Sequence, residues 1–452
     1  REPRAHSSEH ACGRPPAWER DFCCPEGVYA RIFNAMLASR AVQVAKRGAA
    51  APIAAATRGA GTAPSSAFCR PPLGRAALPV AGRARHAAKS SLAVAVPPPE
   101  MADAYATRGA TWGLAPRATP AIDDVEAAAK RGPLPATTVA DFERAGFAVL
   151  RGVFSAEEIA PVYEAAQEVA RKEAEAAAAA DGGVVSASSR CVLEPPSLAF
   201  ARETEAAVGS NVRSVFALHK GSRPDDADAA EAARNAPATP EDLLAALLHD
   251  SRLVARASQL LGDNVYIHQS RINYQPAFVG TGFGWHSDFE TWHAEDGMPL
   301  PRALSAVVML SDNTASNGAL MVVPGSHTSF VRCAGETPDA NWEASLRSQR
   351  TGVPSVETLA ELCARAEAEH GKAVTHCEGR VGDVIMFDCN LMHGSTGNLS
   401  HAARTNAFVV YNAVGNAVTA PPYAPVPRPE HVATRDPQWM RPLPTTLRLP
   451  AP

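Results

Sequence analysis

The pattern of apolar and polar positions divides the chain into a front part without periodicity and a regular part that begins near residue 136. Ser155 and Glu158 form a capping-box signature, and apolar residues then recur at helical spacing from Ile159 to Val169. A second, leucine-rich stretch covers 240–261. These patterns predict two amphipathic helical regions that precede most of the strands.

After Gly262 the pattern changes to short strands with turns between them. The run 264–274 has strand composition, and a period of two places Gln269, Arg271 and Asn273 on one face. The same alternation places Tyr266, His268, Ser270 and Ile272 on the other face. Three polar side chains on one face favour a ligand-filled interior. Other segments are predicted as strands at 146–150, 303–312, 319–323, 383–389 and 405–413, and as a helical insert at 341–368.

This order of elements predicts a mainly β fold with flanking helices and a double-stranded β-helix core of the jelly-roll, cupin-like type. We assign the folded domain to 136–430. The last stretch, 431–452, is predicted to be a proline-rich C-terminal tail.

Residues 1–135 are rich in Ala, Arg, Pro, Gly and Ser and are predicted to be disordered, because they cannot bury enough apolar surface to offset chain entropy. Between Gly27 and Pro99 there is no acidic residue, whereas arginine recurs. This composition is typical of a transit peptide for a plastid or mitochondrion. The alternative is a linker or a compositional bias without a targeting role, in which case we expect a cytoplasmic protein.

Charge and cysteine content exclude several classes of protein. The formal net charge of -4 gives no support for a nucleic-acid or membrane partner. The nine cysteines are scattered without CxxC spacing, which argues against a disulfide framework and a zinc module. No apolar run reaches the roughly 18 to 20 residues that span a bilayer.

Candidate chemistry lies in His286-Ser287-Asp288, where two metal-ligating side chains of an extended strand point the same way. His393 closes a distant strand and is the best third ligand. Two histidines and one carboxylate form the facial set that ferrous oxygenases use. Arg404 follows soon after, on the same strand face as Phe408, and arginine binds carboxylates such as that of 2-oxoglutarate.

Several longer motifs extend this set: Gln269–Tyr274, Trp285–His293, Glu295–Pro299, Pro324–His327 and Phe387–Ser395. With them, the chain resembles the ectoine hydroxylases of the phytanoyl-CoA dioxygenase superfamily over about residues 140 to 430. The resemblance implies a cupin-like barrel that uses Fe(II), 2-oxoglutarate and O2. It also implies a reaction that converts ectoine to 5-hydroxyectoine with release of succinate and CO2, and a homodimer.

The resemblance implies a role for each matching residue. The iron ligands would be His286, Asp288 and His393. The cosubstrate would be bound by Arg404, Asn273, Gln275 and Ser395. The substrate pocket would be formed by Gln269, Arg271, Thr291, Trp292, Phe387 and Phe408. One departure concerns Gln275, where the family usually has lysine, so the affinity for 2-oxoglutarate is expected to be weaker unless another residue compensates.

Two other interpretations of the same residues are kept. The first is a related dioxygenase that acts on another small amino-acid-like solute. The second is a barrel that binds a solute or 2-oxoglutarate without catalysis, in which Trp292 and Phe408 would be ordinary core aromatics.

Overall fold

The computed structural model describes residues 103–179, 190–194, 212–221, 238–438 and 440. Its α-helices are α1 Val125–Lys130, α2 Ala136–Ala145, α3 Ala156–Ala179, α4 Pro240–Leu248, α5 Ser251–Leu261, α6 Asp288–Thr291, α7 Asn341–Ser345 and α8 Val356–His370. A π-helical turn, Trp292–Asp296, continues α6 directly. Short 3-10 turns lie at Leu218–Lys220, Ala315–Asn317, Ser326–Thr328 and Val414–Asn416.

The strands are β1 Gly113–Pro116, β2 Phe147–Leu150, β3 Cys191–Leu193, β4 Val212–Phe216, β5 Val265–Gln275, β6 Phe283–His286, β7 Ala303–Met309, β8 Leu320–Val322, β9 Ser329–Arg332, β10 Thr375–His376, β11 Val384–Asp388, β12 His393–Ser395 and β13 Arg404–Ala413. A large sheet has the order β2-β11-β7-β13-β5-β4-β3, and a smaller one has the order β10-β8-β12-β6. Every pairing in them is antiparallel. The predicted mainly β fold with flanking helices is confirmed.

Two apolar layers place the site between the sheets. On the outer face of the large sheet, Ile159 of α3 and Leu247 of α4 pack with Ile272 of β5. On its inner face, side chains such as Phe387 pack with Val322 of the smaller sheet. The polar side chains of β5 that alternate with Ile272 therefore project into the space between the two sheets.

The helix starts follow their capping residues. Ser155 and Glu158 form the predicted capping box at the start of α3, through reciprocal bonds of 3.2 and 2.8 Å. The single helix predicted over 240–261 is two helices, because the Asp250 side chain accepts a bond from the Arg252 amide and starts a new helix.

A bulge in β5 corrects the predicted alternation of its side chains. The register with β13 shifts between Val410 and Tyr411, which pair with Gln269 and Ile267 and leave His268 unpaired in the ladder. A bulge moves the side chains that precede it to the opposite face. His268 accordingly lies against Trp292 on the inner side, at 5.4 Å between ring centroids, and does not share the face of Ile272.

The domain boundaries predicted at 136 and 430 are wrong for the described residues next to them. Strand β1 pairs with β9, and Tyr105 is only 1% exposed, so the folded domain includes residues 103–135. At the other end, Val432 and Ala433 are buried, and the Gln269 side chain donates to the Val432 carbonyl at 2.8 Å. Both segments are held by contacts with distant parts of the chain, so they need no apolar periodicity of their own and a local pattern did not predict them.

The acid-free stretch and the predicted transit peptide lie outside the described residues, as do 439 and 441–452. No helix in the described part of the chain combines the length and apolarity that crossing a membrane requires.

Candidate active site

Three predicted metal ligands meet at one end of the smaller sheet. Strands β6 and β12 are antiparallel neighbours in which His286 pairs with His393, and Asp288 begins α6 directly after β6. The Nε2 atoms of His286 and His393 lie 3.8 and 3.9 Å from the Asp288 carboxylate oxygens. One potential ligand atom from each residue falls within 4.8 Å of the others. Two histidines and one carboxylate at these distances fit a ferrous ion.

Backbone carbonyls orient both imidazoles. His286 Nδ1 lies 2.8 Å from the Gly284 carbonyl, and His393 Nδ1 lies 2.9 Å from the Leu391 carbonyl. Because a carbonyl only accepts, each Nδ1 carries the proton and each Nε2 keeps a lone pair for a metal. Burial, together with the nearby His393, lowers the pKa of His286 to about 4, which keeps it in the neutral, metal-binding form.

Beside the metal ligands lies a first cavity of about 540 Å³, a volume that includes the space where the cavity opens to solvent. Its lining includes the predicted cosubstrate residues Asn273, Gln275, Ser395 and Arg404. Arg404 is 5% exposed, and its Nε has no hydrogen-bond partner among the described residues. Burial and the nearby Arg213 lower its pKa to about 10, so it stays charged at neutral pH. A buried guanidinium with an unpaired donor fits a carboxylate ligand.

Gln275 lies directly opposite Arg404 in the β5–β13 ladder. Its side-chain amide donates to the carbonyls of Thr281 at 3.0 Å and Thr396 at 3.2 Å, whereas its Oε1 has no partner in the described part of the chain. Gln275 therefore ties two loops together at the wall of the cavity and adds no charge to it. On the same wall, Asn273 accepts a bond from the Ser214 hydroxyl at 2.8 Å.

A second cavity adjoins the first on the side of α6. Four of the predicted substrate residues, Gln269, Arg271, Thr291 and Trp292, line it. Arg271 lines both cavities, and its guanidinium carbon lies 4.7 Å from the ring centroid of Phe408, which lines the first cavity. An arginine at this junction can contact ligands on both sides.

Phe387 is the exception among the predicted substrate residues. It is fully buried in the layer between the sheets, with its ring centroid 4.8 Å from that of His393, and it belongs to neither cavity lining. The structure places it behind a metal ligand, because strand β11 turns this side chain into the apolar layer.

Two arginines that line the cavities were not predicted from the sequence. Arg428 lines the second cavity and binds Asp296 through contacts of 2.8 and 2.5 Å. Arg213 lines the first, 4.3 Å from the Phe283 ring centroid, and pairs with Glu194 at 3.2 Å. Neither stands in a periodic pattern. The only local signal for Arg428 is a lone basic residue among prolines.

Comparison with known proteins agrees with this geometry. The sequence profile described as phytanoyl-CoA dioxygenase (PhyH) matches residues 142–406. The chain is 44% identical to the ectoine dioxygenase of Sphingopyxis alaskensis over 303 residues, which are 67% of this chain and 84% of that protein. It is 40% identical to the ectoine dioxygenase of Streptomyces anulatus over 335 residues, 74% of this chain and 96% of that one.

Solved structures of EctD from S. alaskensis are also similar to this chain. The crystal structure with 2-oxoglutarate and 5-hydroxyectoine gives a TM-score of 0.54 at 37% identity, covering 77% of this chain and 98% of that one. The crystal structure with bound Fe gives 0.54 at 38% identity, covering 75% and 98%. On the profile match and the identity to these relatives, the chain belongs to the phytanoyl-CoA dioxygenase family.

Proposed function

We propose that this protein is an Fe(II)- and 2-oxoglutarate-dependent dioxygenase that hydroxylates ectoine to 5-hydroxyectoine, with release of succinate and CO2. The observation that carries the proposal is the position of the His286, Asp288 and His393 ligand set between the cavity of Arg404 and the cavity of Trp292. Relatives named ectoine dioxygenase, and a solved relative with 2-oxoglutarate and 5-hydroxyectoine, support the choice of substrate.

The first cavity would hold the cosubstrate. Arg404 would bind the distal carboxylate of 2-oxoglutarate bidentately, while Asn273 and Ser395 line the path to the metal ligands. Iron held by the three ligands would supply the dioxygen chemistry, in which one oxygen atom enters succinate and the other enters the substrate. The chain's own task is to hold 2-oxoglutarate and substrate at fixed positions and to exclude water.

The second cavity suits a small cyclic zwitterion such as ectoine, which carries an amidinium cation and a carboxylate. Trp292 offers an aromatic face to the cation, and Arg271 offers a guanidinium to the carboxylate. Arg428 is a second cation in the same wall, but Asp296 already neutralises much of its charge. Among the residues that the structure describes, no carboxylate forms an ion pair with Arg271, and its guanidinium donates to the neutral Gln269 amide oxygen.

The test is a single-turnover experiment with protein purified without oxygen. Ectoine, Fe(II) and 2-oxoglutarate are added, isotopically heavy O2 is admitted, and the product is weighed by mass spectrometry. We expect ectoine to gain one heavy oxygen atom and succinate to form in equal amount. Trp292→Ala and Arg271→Ala should abolish the product. Arg144→Ala should not, because Arg144 is exposed and its partners in the described part of the chain, Asp141 and His370, belong to neither cavity lining.

The outcome separates the two alternatives. Succinate formed without oxygenated ectoine would indicate a dioxygenase for another small amino-acid-like solute. No iron, no succinate and no effect of Asp288→Ala would indicate a barrel that binds without catalysis.

Two further expectations belong with this proposal. The one-sided charge of residues 27–99 supports an organellar transit peptide, which the location of a fluorescent fusion to the full chain tests. The resemblance to the family supports a homodimer, which light scattering on the purified protein tests.

A further inference from the structure

One short helical stretch carries much of the site. Residues 288–296, which comprise α6 and its π-helical turn, are called here the motif helix. They include the metal ligand Asp288 and the cavity residues Thr291 and Trp292. The start of this stretch is anchored separately, because the Phe289 amide donates to the Cys389 carbonyl at 2.8 Å. A shift of its later residues would therefore move the substrate pocket more than Asp288, so whatever holds those residues sets the geometry of the pocket.

Two glutamates of the motif helix are buried away from both cavities. Glu290 is 0% exposed and Glu295 is 2% exposed, and neither lines a cavity. Buried carboxylates require paired charges and hydrogen bonds, because burying an unpaired ion is expensive. The Thr291 hydroxyl lies 3.5 Å from Glu290 Oε2, but the charged partner of both glutamates comes neither from the motif helix nor from the sheets that carry the other site residues.

The charged partner of both glutamates is Arg108, and the Asn341 amide also donates to Glu295 Oε1 at 2.7 Å. Its Nε donates to Glu290 Oε1 at 2.6 Å, and its Nη2 donates to Glu290 Oε2 at 2.9 Å. The same Nη2 reaches Glu295 Oε1 at 3.0 Å. The Arg108 and Glu290 side chains are 1% and 0% exposed, so this bidentate pair is shielded from water. One guanidinium therefore fixes two successive turns of the motif helix.

Neighbours of Arg108 add further contacts. Residues 103–108 are called here the strap. The Thr107 hydroxyl donates to Glu290 Oε1 at 2.8 Å, and the Tyr105 ring packs edge-on against Phe289 with centroids 5.0 Å apart. Asp103 lies 3.1 Å from Nε2 of His293. The strap thus contacts Phe289, Glu290, His293 and Glu295 of the motif helix.

The backbone at Arg108 shows that its position is fixed from several sides. Its φ of +57° lies in the left-handed region, which is unfavourable for a residue with a side chain. Its amide donates to the Cys333 carbonyl at 2.8 Å. Gly352 lies so close that a Cβ there would collide with the Glu290 carboxylate and with Nη2 of Arg108. A strained conformation persists only where its surroundings impose it.

We propose that the strap is a positioning element of the active site, and that Arg108 is the residue through which it sets the motif helix. The strap orients Trp292 and Thr291 for the substrate through the buried pairs with Glu290 and Glu295. This inference rests on the proposed function, because ectoine is the ligand whose binding is measured.

The structure predicts which binding event depends on the strap. The predicted cosubstrate residues Asn273, Ser395 and Arg404 lie on β5, β12 and β13, and within the described ranges none of them hydrogen-bonds or ion-pairs with the strap. Loss of Arg108 leaves two buried carboxylates without their cation, and the motif helix must move to hydrate them. Substrate affinity should therefore fall while 2-oxoglutarate affinity is kept.

Three variants of the full chain test this. Arg108→Met removes the charge at similar length, and Arg108→Lys keeps the charge but loses the bidentate geometry. Arg117→Met is the matched control. The Arg117 side chain is 4% exposed, against 1% for Arg108, and Arg117 directly follows β1. Its ion pair is with Asp388 at 2.9 Å, and no hydrogen bond or ion pair joins it to the motif helix within the described ranges.

The measurements are made without oxygen on Fe(II)-loaded protein. Calorimetry gives the affinity for 2-oxoglutarate and then the affinity for ectoine, and a melting curve reports folding. For Arg108→Met we expect ectoine to bind about tenfold more weakly or worse, with 2-oxoglutarate affinity within about threefold of wild type. Arg108→Lys should be intermediate. Arg117→Met should melt at a lower temperature but bind ectoine as wild type does.

Wild-type ectoine affinity in Arg108→Met would overturn the inference. An equal loss of ectoine affinity in Arg117→Met would also overturn it, because it would show that Arg108 has only a structural role. If Arg108→Met does not fold, wild-type affinity in Arg108→Lys would overturn it. If wild-type protein binds 2-oxoglutarate but not ectoine, the proposed substrate is wrong. The strap is then tested by the fluorescence of Trp292, which is the part of the protein's emission that is lost in Trp292→Phe. Arg108→Met should change this emission, and Arg117→Met should not.

Discussion

His286 and His393 lie directly opposite each other across the β6–β12 pair, with ring centroids 4.2 Å apart, although strands β7 to β11 separate them in sequence. The two histidines therefore depend on one strand pairing for their separation. Asp288, at the start of α6, completes the set from the side. The arrangement is rigid because both imidazoles are also held by backbone carbonyls.

Asp288→Asn should remove iron binding while the fold is kept. The amide matches the carboxylate in shape but lacks the charge that neutralises a divalent ion, so affinity should fall by about a hundredfold or more. Metal content after anaerobic reconstitution and desalting measures this. Asp383→Asn, which alters a carboxylate paired with the exposed Arg151, is the control and should keep its iron. Full iron occupancy in Asp288→Asn would exclude the ligand set.

Arg404→Met should weaken 2-oxoglutarate binding and leave iron binding intact. Loss of a buried partner for a carboxylate costs about 2 to 5 kcal/mol, because the ligand charge is left unpaired. Calorimetric titration of 2-oxoglutarate into anaerobic Fe(II)-loaded protein measures the change. Arg404→Lys should fall between the two, since it keeps the charge without the planar fork. Unchanged affinity in Arg404→Met would place the cosubstrate elsewhere.

Gln275→Lys should strengthen 2-oxoglutarate binding but destabilise the empty protein. The new ammonium would lie across the ladder from Arg404, so two like charges would share a buried wall until a doubly negative ligand arrives. We expect a lower melting temperature without 2-oxoglutarate and a larger rise on its addition than in wild type. Gln275→Met removes the two hydrogen bonds of the side-chain amide without adding charge. It should lower both the melting temperature without 2-oxoglutarate and the rise on its addition. A smaller ligand-induced rise in Gln275→Lys would contradict the argument.

Asp296→Asn should reduce stability at neutral pH by an amount that disappears in acid. Burial raises the pKa of Asp296, but the charge and hydrogen bonds of Arg428, with the bond from His268, outweigh burial and leave the pKa at about 2. A carboxyl with a lowered pKa stabilises the fold fully above its unfolded pKa of about 3.9 and loses that contribution as pH falls towards 2. The contribution at pH 7 is about 2 to 3 kcal/mol.

Urea unfolding of wild type and Asp296→Asn from pH 7 down to about pH 3 measures the difference in unfolding free energy. The difference should be constant above about pH 5 and shrink below about pH 4. An equal difference at both ends of the range would show that the variant acts through lost packing and not through the charge of Asp296.

Much of the candidate site was predictable because its signals are local. The position of Arg404 and Phe408 on one strand face follows from a period of two. His286 and Asp288 share a side because Ser287 between them is extended, although Asp288 itself begins α6 and does not lie in the predicted strand. The predicted polar face of Gln269, Arg271 and Asn273 is present in the structure. The prediction was correct because all three residues lie on one side of the β5 bulge.

The bulge itself, the strap and Arg428 were not predictable from local pattern. A bulge depends on how two strands pair, and β5 finds its partner β13 far along the chain. Arg108 and Arg428 stand in stretches without periodicity, and each owes its position to an acidic partner on the motif helix. The domain boundaries were misplaced for the same reason, since segments held by distant partners need no apolar stripe of their own.

The sequence by itself determined which residues can bind a metal, a carboxylate or a cation, and where strands and helices with a local apolar pattern form, because ligand chemistry and side-chain periodicity are properties of a few neighbouring residues. Only the tertiary structure decided that the motif helix is held by the strap near one end of the described chain and by Arg428 near the other. The physical reason is that buried charges must find partners, and a partner can come from any part of the chain that folding brings within hydrogen-bond distance.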